Sequence, residues 1–283
     1  MPRPLMVLLA LCLSTTVYAQ SDVDDLRDIT SARGYGMGGA YRALGLGTEA
    51  VVGNPAAMAL WKMYRMELHG SWDTSGKDAF GGVSLMDAKT SDLAAGLDYH
   101  VLSLRSGEGR TTGHFSTLAF ALPITPGIFI GTSVHYLKLT GPRQTNASTV
   151  DGGLLLRLSD GLTLGFSAHN LIDTHNVELT RYYSLHTGYL AGLFTVGADV
   201  RADFESRDKT VLTYSGGFEY ILGQVFPVRM GYTYDGFQKA SQLGFGLGFM
   251  TETGGGIDLG YRHDLGGDKG RLLALTLKLQ VSG

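Results

Sequence analysis

Beyond residue 20 the chain has no cysteine. The only one, Cys12, lies in the opening stretch MPRPLMVLLALCLSTTVYAQ. A chain without a thiol builds no disulfide framework, no thiolate metal site and no thiol nucleophile. Long apolar runs are also missing: after the opening stretch none approaches the ~20 residues a membrane helix needs. Basic blocks are absent as well. Arg3 is the one charged residue of the opening stretch, so the remainder holds 22 Lys and Arg against 26 Asp and Glu, a net charge of −4. With no basic stripe to neutralise phosphates, nucleic acid is excluded as a partner. The opening stretch has one arginine, an apolar run from Leu5 to Leu13 and the small-residue site Val17-Tyr18-Ala19. It reads as a secretory signal peptide over residues 1–19. Leu11 before Cys12 does not suit a lipoprotein signal, and export without disulfides suits a bacterial envelope.

What the chain has instead is glycine, 41 residues, about twice the usual share, together with 14 tyrosines. The stretch Gly34-Tyr35-Gly36-Met37-Gly38-Gly39 satisfies G-x-G-x-x-G. That pattern cradles a pyrophosphate only where it closes a strand, opens a helix and is followed about 20 residues later by an acid for the ribose. The preceding SDVDDLRDITSAR is acidic and not strand-like, and Glu49 comes too early. The glycines therefore serve another purpose, and no cofactor is expected.

From Tyr64 onward, period-two segments alternate with turn residues. LLALTLKLQV sets Leu273, Leu275, Leu277, Leu279 and Val281 against Ala274, Thr276, Lys278 and Gln280; QLGFGLGF sets Leu243, Phe245, Leu247 and Phe249 against glycines. Strands of this kind have one greasy face and one small or polar face. The segments start near residues 64, 78, 92, 111, 127, 147, 162, 181, 192, 210, 225, 241, 255 and 271, which predicts 14 strands with the register of the second open. Tight connections (ITPG, SDG, LAG) alternate with polar ones (DTSGK, SGEGR, GPRQTNAS, DTHNVELT, ESRDK, GGDKG), none much beyond ten residues. An even strand number with short turns at one rim and longer loops at the other describes an antiparallel transmembrane barrel. Closure leaves no unpaired edge in lipid. Tyr64, Tyr136, Tyr189, Tyr220, Tyr234 and Tyr261 near strand ends fit interfacial girdles as well as plain strand propensity.

Residues 20–63 do not alternate. They are small and apolar, with helical spacing around Ala40 to Ala43 and at Ala56 to Leu60. Here Gly36, Met37, Gly38, Gly39, Ala40 and Ala43, followed by Asn54, Pro55 and Ala56, resemble the N-terminal plug of the FadL outer-membrane family and of its relatives PorV and PorQ. FSAHNL, with Asn170, and the closing strands look like the PorV branch. The resemblance implies an outer-membrane barrel over residues 64–283 whose segment 20–63 lies in the lumen as a hatch. A plug of this kind meets the wall at backbone distance, which glycine permits. Inward Gly131, Gly165, Gly197, Gly217 and Gly246 either supply the matching hollow or merely relieve crowding in the strands.

With the greasy set facing lipid, the inner face holds Arg65, Arg157, Arg201, Arg229, Arg262 and Lys278 with Glu67, Asp98, Asp151, Asp199, Asp203, Glu219 and Asp258. A conduit for anions would carry a surplus of cations. This near-balance points to charge pairs bracing plug and wall. His69, His100, His135, His169 and His186 fall on the same face, with Ser133 and Ser167 two residues before His135 and His169. No carboxylate can be assigned to them from spacing and no metal-ligand spacing appears, so neither an enzyme nor a metal site is expected. Two functions follow from the resemblance. A plugged accessory barrel that docks other envelope proteins, for secretion, surface attachment or motility, fits the compact loops and the balanced interior. The alternative is a FadL-like channel for hydrophobic small molecules such as fatty acids. In both, outer-membrane lipid surrounds the wall.

Overall fold

Period-two alternation closes on itself. The computed structural model describes residues 26, 29–74, 78–106, 108–206, 209–236, 238–266 and 270–282, so the expected signal peptide lies outside the described residues. Fourteen antiparallel strands form a closed barrel in sequence order. They are β1 (Met63–Asp73), β2 (Ala79–Asp87), β3 (Ala94–Ser106), β4 (Gly109–Thr125), β5 (Ile128–Thr140), β6 (Thr145–Arg157) and β7 (Leu162–His169). The second half comprises β8 (Tyr182–Ala191), β9 (Phe194–Asp203), β10 (Val211–Leu222), β11 (Phe226–Asp235), β12 (Ala240–Met250), β13 (Gly255–Asp264) and β14 (Arg271–Ser282). β1 pairs with β14 from Met63↔Ser282 to Asp73↔Leu272, so no edge is left to pair with another chain.

The greasy set points outward. Leu68, Leu97, Val134, Phe166, Val196, Phe218, Phe245, Leu247 and Leu277 are all exposed while their sequence neighbours face the lumen. A soluble sandwich would bury these side chains between two sheets; here they form the face that only acyl chains can cover. Connections at one rim are short, with Gly192, Gly223 and Gln224 at positive φ. The other rim carries the polar loops. The open register of the second strand resolves to Leu68↔Val83 and Glu67↔Ser84. β7 stops two residues short of the expected Leu171, because Asn170 turns to φ 55 and leaves the sheet. Residues 170–181 then complete the upper wall, with Leu171 donating its amide to Val150 and a 3₁₀ turn at Val177–Leu179. This connection is longer than the sequence suggested.

Residues 29–62 lie inside the wall. Ser31 caps α1 (Ala32–Gly36), its hydroxyl accepting from the Gly34 amide at 3.2 Å. After α2 (Ala50–Gly53), Asn54 caps a 3₁₀ helix over Pro55–Leu60, accepting from the Ala56 amide at 3.2 Å. Helical spacing at Ala56 to Leu60 thus becomes a tighter helix, and Ala40 to Ala43 is not helical. Gly38 and Gly39, at φ 60 and 79, end the coil after Gly36 and lay the following backbone along the wall.

Candidate functional site

Wall glycines and plug backbone fit together. A Cβ on Gly197 would overlap the Ala40 carbonyl, one on Gly217 the Met37 carbonyl, one on Gly231 the Gly38 amide, and one on Gly131 the Ala56 amide. At Gly246 the Gly36 Cα would lie 3.3 Å away. Gly165 is different: the His186 ring and Leu155 fill its space, so it relieves crowding within the wall. The plug residues singled out by sequence sit in this groove, with Met37, Ala40, Asn54 and Ala56 fully buried and Ala43 nearly so. Asn54 Nδ2 also lies 2.7 Å from His186 Nε2.

Along β9–β14 the lumen is ionic. Arg33 of α1 pairs with Glu49 at 2.7 Å and with Glu219 of β10 at 3.2 Å. Glu219 also binds Arg229 of β11, which reaches Asp258 of β13 at 2.8 Å, and Asp258 takes Lys278 of β14 at 2.6 Å. Burial opposes the Arg33 charge, but Glu219 and Glu49 outweigh it and raise its pKa above the ordinary value. A second plug cation, Arg42, pairs with Asp199 at 3.0 Å. Alternating charges this deep hold geometry, and loss of one partner strands the next. Arg33, Arg42 and Glu49 come from the plug, where an inventory of the wall could not find them.

The remaining predicted charges divide by role. Arg65 pairs with Glu67 and binds Gln280 at 2.6 Å, with the Leu46 carbonyl as a further partner. Asp98 joins His100 at 2.7 Å and Ser84. Arg157 lies over the Trp61 and Phe129 rings, 5.3 Å from each, and binds the Leu60 carbonyl. Asp203 accepts from the Glu205 and Ser206 amides at 2.9 Å and so shapes a loop. Arg201 and Arg262 line a small cavity with Tyr35, Tyr41 and Gln242.

The opposite arc, β3–β7, is of another kind. Toward the loop rim Leu102, Leu104, Phe115, Leu137 and Leu139 point inward and pack with Leu179 and with Leu26 and Ile29 of the plug segment. Toward the short-turn rim a second apolar cluster joins the 3₁₀ helix to Met86, Ala119, Ala121, Phe129 and Leu155. Between them is a histidine cluster. Asp151 Oδ2 lies 2.6 Å from both His135 Nε2 and His169 Nδ1, and its Oδ1 accepts the Asn170 amide at 2.8 Å. His169 Nε2 meets Ser167 at 2.8 Å, and His135 Nδ1 meets Thr117 at 2.7 Å. The carboxylate that spacing could not assign is therefore Asp151. The order Ser167, His169, Asp151 is that of a hydrolase triad, but Ser167 is fully buried, with the Gly53 carbonyl 3.4 Å away. His69 lies 2.9 Å from Ser84. Among the described residues no group of three or more His, Asp or Glu is arranged to hold a metal.

No protein-family model matches the chain, and no curated protein does. Solved structures do. The Pseudomonas putida toluene transporter TodX is 14% identical at a TM-score of 0.67, covering 92% of this chain and 99% of that one. The CymD monoaromatic hydrocarbon channel is 11% identical at 0.73, over 92% and 99%. A Pseudomonas aeruginosa FadL homologue is 13% identical at 0.66, over 93% and 100%. At these identities the likeness is one of fold: the chain has the 14-stranded barrel architecture of FadL-type transporters, and none of these likenesses singles out the PorV branch.

Proposed function

We propose that the protein is an outer-membrane channel for hydrophobic small molecules. The observation that carries this reading is the inward-facing apolar arc. The ionic arc opposite fixes the plug by charge, whereas the leucines of this arc hold Leu26, Ile29 and Leu179 by apolar contacts that an apolar guest can replace. An apolar surface inside a barrel that already has an apolar outside is a surface for apolar guests. The transport described for TodX and CymD supports the same reading over the accessory barrel expected from sequence. Docking of envelope proteins is a second reading, favoured by how firmly the plug is held. Uptake of labelled toluene by cells carrying the wild-type barrel, an empty vector or Leu137→Gln tests the choice. The channel predicts uptake at low concentration that needs the barrel and falls several-fold in the variant. Uptake indifferent to the barrel, with co-purifying envelope proteins, overturns it.

A further inference from the structure

The apolar arc ends in a cavity whose polar wall has a definite charge. Leu26, Ile29 and Phe115 line one side of it, and His135, Asp151 and His169 another. The hydrogen bonds set one nitrogen of each ring against the carboxylate and the other against a hydroxyl: His135 Nε2 and His169 Nδ1 face Asp151, while His135 Nδ1 faces Thr117 and His169 Nε2 faces Ser167. As neutral imidazoles both rings donate to the carboxylate and accept from the hydroxyl, so every one of these partners is satisfied without a positive charge on either ring. Asp151 is then a carboxylate held by two neutral rings and a backbone amide, without a cation among these partners. Glu178, also lining the cavity, is paired with Arg143 at 3.5 Å. Arg42 pairs with Asp199. Tyr182 and Asn170 add no charge, and the plug contributes only Leu26, Ile29 and Val52. With both rings neutral, the cavity is thus apolar with one negative charge that no lysine or arginine of its lining pairs.

We infer that Asp151, fixed by His135 and His169, makes this cavity selective for uncharged apolar molecules and excludes those bearing a carboxylate. The inference rests on the channel reading and names its substrate class. An anion brought within ~5 Å of Asp151 meets a repulsion large enough for a tenfold or greater discrimination even at an effective dielectric of about 20. A neutral arene or alcohol of the same shape meets none. With Leu26 and Ile29 seated, the remaining space is about 30 Å³, so a guest takes the place of these side chains.

The test uses one apolar body with two ends: 4-methylbenzyl alcohol and 4-methylbenzoate, measured at pH 8 by equilibrium dialysis against the full-length barrel in detergent. Ile29→Trp, which fills the cavity from the plug side, removes cavity binding and leaves micelle partition as the blank. Wild type is expected to prefer the alcohol at least tenfold, and Asp151→Asn is expected to bring the ratio near one. Should Asp151→Asn fail to fold, His169→Gln and Asp92→Asn provide separate readouts: the first disturbs the carboxylate's clamp and lowers the ratio, the second removes an exposed charge outside the cavity and leaves the preference standing. Equal cavity binding of both probes by wild type overturns the charge filter and leaves the channel reading intact. No Ile29→Trp-sensitive binding of either probe overturns the channel reading itself, and the filter with it.

Discussion

The two arcs of the lumen are built from the same alternating strands and yet do different work. Along β9–β14 glycines seat the plug and the charged inward residues Glu219, Arg229, Asp258 and Lys278 are joined with Arg33 into one chain of ion pairs. Along β3–β7 the plug instead meets two clusters of leucine, phenylalanine and alanine on either side of a histidine-bound aspartate. The difference teaches that a barrel lumen is not one environment. Buried ion pairs resist displacement because a lone charge left behind is costly, whereas apolar contacts can be exchanged for those of a guest at little net cost. The ionic arc is an anchor, and the apolar arc is where something else can sit.

The largest expected effect comes from cutting the anchor at its centre. Glu219→Leu leaves Arg229 with Asp258 and Arg33 with Glu49 but removes the ion pair that ties Arg33 to the wall, while Arg42 keeps its pair with Asp199. We expect a loss of about 3–5 kcal/mol, the range for breaking a buried pair, read as a lower unfolding midpoint and faster proteolysis of the segment around Arg33. Next in size is Gly217→Ala, whose new methyl group would overlap the Met37 carbonyl. It should cost about 1–3 kcal/mol, as overpacking does. Its neighbour Gly216, with nothing within 4 Å of an added Cβ, is the control: Gly216→Ala should stay within about 0.5 kcal/mol of wild type. Equal effects at both positions would mean the plug does not seat against this wall. Asn54→Ala removes the cap of the 3₁₀ helix and the contact to His186, and should cost about 1 kcal/mol in the same melts. Lys62→Met breaks the exposed pair with Asp92 at 2.8 Å and the hydrogen bond to the Ser91 carbonyl at 3.1 Å, and no measurable change is expected.

How much of this was legible in the sequence follows from the physics of alternation. Where one face is greasy and the other polar, period two fixes both strand and face, so β9, β12 and β14 could be read with their register. At the loop-rim ends of β3 and β5 the alternation continues but its polarity inverts: Leu102, Leu104, Leu137 and Leu139 face in, while Ser103, Arg105, Lys138 and Thr140 face out. A reading that sends the greasy set outward along the whole strand places these leucines on the wrong face, so the apolar arc was missed. The end of β7 was missed because Asn170 leaves the sheet at a positive φ, a conformation its side chain tolerates without announcing. The Asp151 cluster joins β5, β6 and β7, and only register brings it together. Ser133 faces Asp151 across β5 and β6, and counting outward from the SDG turn through Arg157↔Thr163 to Gly152↔Ala168 leads next to Asp151 and His169. That turn-centred count was available from the sequence. The anchor was not, since Arg33 and Arg42 reach the wall from a plug with no periodicity to place them.

The most direct test of the contrast between the arcs is to locate a guest. Diffraction from crystals of the full-length barrel soaked with bromobenzene, using the anomalous signal of bromine, reports where an uncharged apolar molecule rests. Bromine is expected inside the wall among Phe115, Leu137 and the side chains of Leu26 and Ile29. Bromine confined to the outward belt of Leu68, Leu97 and Leu277, with the lumen empty, would contradict it.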